Sequence, residues 1–209
     1  FTSLGLIFLI YLCLKSIYIL FITLLFLSYK AIDEFFIINN KIFKNNKFLK
    51  FVSSLISILY VTFFALVVWF SLSSAEYSNV LSLIFLLLIC VSTDIGGFIF
   101  GKIIGGKKLT KISPNKTYSG MIGSFLFSII FGCLFYFTQK NNLILNINVF
   151  SIILLVSLTS QLGDLMISFL KRKAKIKDTG SMLPGHGGIL DRIDGILIAI
   201  PLGTFLISI

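Results

Sequence analysis

The sequence predicts an all-α fold, a polytopic transmembrane helical bundle of about six to seven spans. Three observations predict it. Hydrophobic residues make up 57% of the 209-residue chain and charged residues 12%, against roughly 25% charged in an average soluble domain. Several apolar runs reach the roughly 20 residues that a helix needs to cross a bilayer. The basic residues gather in alternate connecting segments. A soluble globular domain and a disordered chain are both excluded, and the sequence lacks the alternation of a membrane barrel.

The elements follow in order. The chain opens at Phe1 inside an apolar stretch, 1–29, interrupted by Lys15. It reads as a truncated span over 1–13, a tight turn near Lys15 and a second span from 16 to about 35; one tilted helix over 1–35 is the alternative. Further spans are expected at 51–71, 79–100, 118–138, 147–170 and 195–209. All belong to one integral-membrane domain, in which residues 1–80 supply N-terminal spans and 81–209 carry the polar motifs. Cys13, Cys90 and Cys133 all sit in apolar runs, so neither a disulfide framework nor a zinc cluster is indicated.

The connecting segments alternate in charge. Segments 36–50, 101–117 and 171–194 hold 15 of the 18 basic residues, whereas 72–78 carries only Glu76 and 139–146 only Lys140. Basic loops stay on the cytoplasmic side of a membrane. The three basic segments, and any site built on them, are therefore expected to face the cytoplasm. The net charge of +10 is first a topology signal, and it also suits an anionic ligand.

Acids near hydrocarbon are costly and therefore informative. Of the eight, Asp94, Asp164, Asp178, Asp191 and Asp194 lie within or beside the second and third basic segments. Asp164 belongs to a polar stripe, Gln161, Asp164, Ser168 and Lys171, on one face of an otherwise apolar helix. That stripe lines the bundle interior or a wet cavity, or serves helix packing through hydrogen bonds. The basic run Lys171, Arg172, Lys173, Lys175 and Lys177, ending at Asp178, is either a membrane anchor or a grip on an anion. It leads into Pro184-Gly185-His186-Gly187-Gly188, whose glycines allow backbone amides to approach an anion. Asp191 and Asp194 follow three apart at a helix start. Carboxylates so placed suit Mg²⁺, which takes one or two of them together with substrate phosphates; one Asp there is also what a helix dipole favours.

A second cluster combines Asp94, glycines at 97, 101 and 105, and Ser113-Pro114-Asn115-Lys116-Thr117. The glycines suit close helix packing, and the hydroxyls and lysine suit phosphate binding or an ordinary turn. The chain has one histidine, no cysteine in a loop and no glycine loop followed by Lys-Ser or Lys-Thr. Carboxylates and cations gathered at one membrane face are the inventory of phosphoryl or nucleotidyl transfer, which rests on positioning and charge neutralisation.

The run from Ser168-Phe169-Leu170-Lys171-Arg172 through Lys177-Asp178 to Pro184-Gly185-His186-Gly187-Gly188-Ile189-Leu190-Asp191-Arg192-Ile193-Asp194 resembles the signature of the phosphatidate cytidylyltransferase family, the CDP-diacylglycerol synthases. The Asp94-Ile95-Gly96-Gly97 and Ser113–Thr117 segments look like that family's other motifs, so the likeness covers about 90–200. It implies that CTP and phosphatidate give CDP-diacylglycerol and pyrophosphate, with Mg²⁺ or another divalent cation as cofactor. By that resemblance Asp164, Asp191 and Asp194 hold the metal, with Asp178 a weaker ligand. Lys171, Arg172 and Lys177 grip the triphosphate, and Ser113, Lys116 and Thr117 receive a phosphate. Ser168, His186, Gly187, Gly188 and Arg192 complete the substrate site, and Asp94 positions metal or a basic group. The implied partners are CTP, phosphatidate and the lipid bilayer, without nucleic acid; a homodimer is left open. The implied location is the cell inner membrane, with the site on its cytoplasmic face. One departure is Ser119-Gly120, where the family usually has Glu-Gly. A CTP-dependent lipid-alcohol kinase and an ion-coupled transporter using Asp94 and Asp164 are the competing readings.

Overall fold

The computed structural model describes residues 16–74, 76–110, 112–143, 145, 147–180 and 187–208. These form six helices: α1 (Ile17–Ile42), α2 (Lys47–Ser73), α3 (Tyr77–Ile103), α4 (Tyr118–Thr138), α5 (Val149–Lys173) and α6 (Leu190–Ser208). An isolated β-bridge joins Lys108 and Thr117. Four helices, α2 to α5, are long and apolar enough to cross a membrane. The first span expected over 1–13, the turn near Lys15, and His186 lie outside the described residues.

The helices run past the apolar windows that announce them. The basic segment expected as a loop over 36–50 is mostly helix, because α1 continues to Ile42 and α2 begins at Lys47, capped by Asn46. The Asn46 side chain accepts the amide of Leu49 at 3.1 Å, satisfying a donor that the first turn leaves orphaned. Likewise α6 begins at Leu190, five residues before the apolar run at 195–209. Hydropathy marks where hydrocarbon ends; helical hydrogen bonding continues into the polar layer beyond it.

The exterior is apolar, unlike that of a soluble protein: large side chains such as Tyr18, Phe51, Phe70, Phe98 and Ile103 are exposed, and on α2 only Ser54 and Val61 are buried. The interior holds an apolar core around Phe85, Leu86, Ile89, Ile152 and Val156, and small polar residues tie helices together across it. Thr93 donates to Ser157 at 2.9 Å, and Ser124 donates to the carbonyl of Thr93 at 2.8 Å, tying α3 to α5 and α4. Such bonds and close backbone approach replace the hydrophobic drive that lipid does not supply.

The most extensive pairing is α3 against α4, followed by α5 against α6. Glycines make both possible. A Cβ at Gly120 would lie 2.8 Å from the carbonyl oxygen of Gly97, and one at Gly123 would lie 2.8 Å from that of Gly96. On the second pair, a Cβ at Gly163 would lie 2.6 Å from the carbonyl oxygen of Asp194. Gly105 does not extend the packing stripe: α3 has ended, and Gly105 and Gly106 take φ of 62° and 104° in the turn that follows.

Candidate functional site

The three basic segments meet at one end of the bundle. Arg172 at the end of α5 donates through Nε to the carbonyl of Ile112 at 3.4 Å. Lys173 lies over the ring of Phe43, 5.6 Å from its centroid. Two sites with different occupants lie at this end.

The first is a cavity of about 330 Å³ between α3, α4, α5 and the segment joining α3 to α4. That segment is a small hairpin. Leu109 donates to Lys116 O at 2.8 Å, Tyr118 donates to Lys107 O at 3.1 Å, and Lys116 donates to Ser113 O at 3.1 Å, closing the turn. Its far strand runs into α4, where the Thr117 hydroxyl accepts the amide of Gly120 at 3.1 Å. The expected phosphate-binding Thr117 thus caps a helix, and it also bonds Ser119 at 2.9 Å. Ser119 donates to the carbonyl of Gly105 and closes the hairpin onto the end of α3.

The hairpin delivers Lys116 into the cavity, where its ammonium pairs with Asp164. Ser168 donates to the other Asp164 oxygen at 3.3 Å. Gln161, one turn away on the same stripe, lines the cavity, and its amide nitrogen is buried without a hydrogen-bond partner. Asp194 joins this group because Gly163 and Gly195 let α5 and α6 touch: a Cβ at Gly163 would lie 3.2 Å from the Gly195 Cα. Asp94, Asp164, Asp194 and Lys116 lie within electrostatic reach of one another. Phe98, Leu109 and Met121 give the same cavity an apolar wall.

The second site is the segment before α6, and the chain itself fills it. Asp191 takes Lys171 on one oxygen at 2.7 Å; its other oxygen accepts the amides of Thr179 and Gly188, each at 2.9 Å. Burial raises this carboxyl, and the Lys171 hydrogen bond with the Gly188 and Thr179 amides outweighs it, holding Asp191 below the usual carboxylate range. Asp191 lies ahead of the apolar run at 195–209. The amides that the glycines were expected to offer an external anion are therefore given to Asp191. Glu34 on α1 takes the next two, from Ile189 at 2.8 Å and Leu190 at 2.9 Å.

The expected residues thus divide. Asp164, Asp194, Asp94, Lys116, Ser113, Thr117 and Ser168 come together at or beside the cavity. Asp191, Lys171, Gly187 and Gly188 form the neighbouring clamp, with the Asp191 carboxylate beside Gly187. Arg172, Lys177, Asp178 and Arg192 are exposed around them. Among the described residues no three His, Cys, Asp or Glu side chains are grouped closely enough to hold a metal ion by themselves. Sequence reasoning passed over Glu34 as a functional residue; an acid inside the run that closes an apolar span was its available signal.

Comparison with known proteins gives the family. The sequence model of the family described as "Cytidylyltransferase family" matches residues 1–209. A phosphatidate cytidylyltransferase of Rickettsia bellii is 42% identical over 147 residues, covering 65% of this chain and 61% of that protein. One of Staphylococcus aureus is 42% identical over 130 residues, with 60% and 48% covered. One of Bacillus subtilis is 42% identical over 119 residues, with 56% and 44% covered. The chain therefore spans about half the length of the curated relatives it matches.

Proposed function

The chain belongs to the cytidylyltransferase family, and we propose that it transfers the cytidylyl group of CTP to phosphatidate, giving CDP-diacylglycerol and pyrophosphate. One observation carries the reading: a half-apolar cavity in which Lys116 meets Asp164 beside Asp194 and Asp94. The apolar wall suits a lipid, and the charged wall suits phosphates. The relatives of Rickettsia, Staphylococcus and Bacillus carry the name of this activity.

The chemistry asks little of a protein nucleophile or base. A phosphate monoester has its second pKa near 6, so the lipid phosphate is largely dianionic at neutral pH. One of its oxygens attacks the α-phosphorus of CTP. The new P–O–P bond forms as the bond from the α-phosphorus to the bridging oxygen of the β-phosphate breaks, and pyrophosphate leaves with that oxygen. The obstacle is repulsion between two polyanions, which fixed positive charge removes. In this reading Lys116, which pairs with Asp164, exchanges it for a phosphate oxygen, and the exposed Arg172 and Lys177 hold the triphosphate. Lys171 is engaged with Asp191 and holds the clamp.

The donor set fits a divalent cation of the Mg²⁺ type when phosphates complete it, since Mg²⁺ takes one or two carboxylates and keeps its other positions for waters and substrate. Asp164 at the cavity wall and Asp194 beside it would hold it; Asp191 is held in the neighbouring clamp by Lys171 and two backbone amides. Bound there, the ion would neutralise phosphate charge during transfer. The basic end faces the cytoplasm in this reading, where CTP is found, and the protein lies in the cell inner membrane.

Purified protein incubated with labelled CTP, phosphatidate and Mg²⁺ tests the proposal. Label in a CDP-lipid after extraction is the expected result. A phosphorylated lipid alcohol, or no lipid product, overturns it.

A further inference from the structure

The N-terminal half of the chain reaches the clamp through one buried carboxylate. Glu34 lies on α1 and is 5% exposed. One of its oxygens accepts the amide of Ile189 at 2.8 Å; the other accepts the amide of Leu190 at 2.9 Å and the Thr179 hydroxyl at 2.6 Å. Glycines make the room: a Cβ at Gly180 would lie 2.8 Å from a Glu34 oxygen, and Gly188 is pressed as closely from the other side. The carboxylate sits at the start of α6, where the amides of the first turn favour negative charge.

Thr179 links this group to the clamp. Its hydroxyl lies 2.6 Å from Glu34 and 3.0 Å from Asp191, and its amide donates to the same Asp191 oxygen at 2.9 Å. A hydroxyl has one proton to donate. The amide already serves Asp191, so the shorter contact assigns the proton to Glu34. Asp191 in turn holds Lys171 at 2.7 Å. A continuous chain of polar contacts thus runs from α1 through Thr179 and Asp191 to the basic end of α5.

We propose that Glu34 is a positioning residue for nucleotide binding. Acting through Thr179 and the first amides of α6, it sets the clamp and, with it, the end of α5 that presents Arg172. This rests on the reading that the basic end binds CTP. Glutamine in its place keeps the size but turns one acceptor oxygen into a donor facing donors. The α5 terminus then loses its fixed register, and the phosphates lose a preformed partner.

The test compares steady-state constants for Glu34→Gln, Thr179→Val and Thr179→Ser in the full chain, with the exposed Glu76→Gln as control. Active enzyme is counted by the monodisperse, folded fraction. A merely structural role lowers that fraction and leaves the KM of the remainder unchanged. The expected result is a KM for CTP raised roughly 10-fold or more in Glu34→Gln and Thr179→Val, the scale of one lost charge-assisted hydrogen bond. The KM for phosphatidate stays within about twofold, and Thr179→Ser, which keeps the hydroxyl, stays near the parent. Should Glu34→Gln fail to fold, the Thr179 pair decides. A parent-like KM for CTP in the folded variants overturns the inference. A parent that makes no CDP-lipid overturns the functional reading instead and takes this inference with it.

Discussion

Lys116 and Asp164 form an ion pair that joins the hairpin between α3 and α4 to the middle of the α5 polar stripe, at the wall of the cavity. The two side chains are 26% and 30% exposed. At that exposure an ion pair contributes only about 0–1 kcal/mol to stability, so a structural role explains the pair poorly. Lys116→Met and Asp164→Asn are expected to change the melting temperature little while lowering kcat/KM by at least ~100-fold, the scale on which one preorganised electrostatic group acts. Melting curves and turnover of the same preparations check this. Full activity in both variants would remove the cavity from the mechanism.

The glycine contacts of α3 and α4 predict a different phenotype. In Gly123→Ala the new methyl would meet the Gly96 carbonyl at 2.8 Å and the side chain of Phe100. Overpacking of this kind costs roughly 1–3 kcal/mol. Gly105→Ala meets nothing within 4 Å, but it places a Cβ at φ 62°, which costs roughly 1–2 kcal/mol. Thermal unfolding in detergent should rank Gly123→Ala below Gly105→Ala, and both below the parent. The reverse order would contradict the helix contact described here.

Sidedness follows from the convergence of the three basic segments. Single cysteines replacing Asn45, Thr110 or Lys177 in a cysteine-free background should react with an impermeant reagent only from the cytoplasmic side. Cysteines replacing Glu76 or Asn141 should react only from the other side. Labelling of position 177 from outside would separate the site from its cytosolic nucleotide.

Much of this arrangement was legible beforehand, and the reasons differ by residue. The four long apolar helices α2 to α5 followed from hydropathy, because a bilayer imposes their length and composition. The Gln161–Asp164–Ser168 stripe followed from helical period, and the structure turns Gln161 and Asp164 toward one cavity. The division between Asp191 and Asp194 was not legible. Two acids three apart share a helix face on paper, yet the Gly163–Gly195 contact draws Asp194 toward α5 while the amides of Thr179 and Gly188 close on Asp191. That depends on tertiary packing, as does the reach of Glu34 across the bundle to the α6 amides.

Asp191 gives a pH prediction. Its folded pKa lies below the ordinary value, with Lys171 and two amides outweighing burial. A depressed carboxylate contributes stability that is present above the unfolded value of about 3.9 and is lost as pH falls through the folded one. The clamp should therefore hold at neutral pH and loosen only below about pH 4. Hydrogen-exchange protection of the Thr179 and Gly188 amides, taken relative to the free-peptide exchange rate at each pH, reads this directly: it should fall steeply below about pH 4 in the parent. In Asp191→Asn it should be low across the whole range. A parent whose protection is equally low and flat would show that the carboxylate charge does not hold these amides.

Arg172 separates anchoring from nucleotide grip. Basic residues at the end of a membrane helix hold it at the headgroups whatever else they do, so removing charge alone decides nothing. In the structure Lys171 faces Asp191, whereas Arg172 is exposed and makes one long contact to the Ile112 carbonyl at 3.4 Å. Its guanidinium thus stays outside the clamp and is open to an anion from solution. Arg172→Lys keeps the charge that topology needs and loses the planar fork that binds two phosphate oxygens at once. Loss of one charge-assisted hydrogen bond costs roughly 1.5–3 kcal/mol, or about 10- to 150-fold. Normal membrane insertion with a fall of that size in kcat/KM for CTP is the expected outcome. Lys177→Gln, at an equally exposed position, should behave alike if the triphosphate lies along this edge. Parent-like turnover in both variants would reduce the run to an anchor and leave Lys116 as the cation that meets the nucleotide.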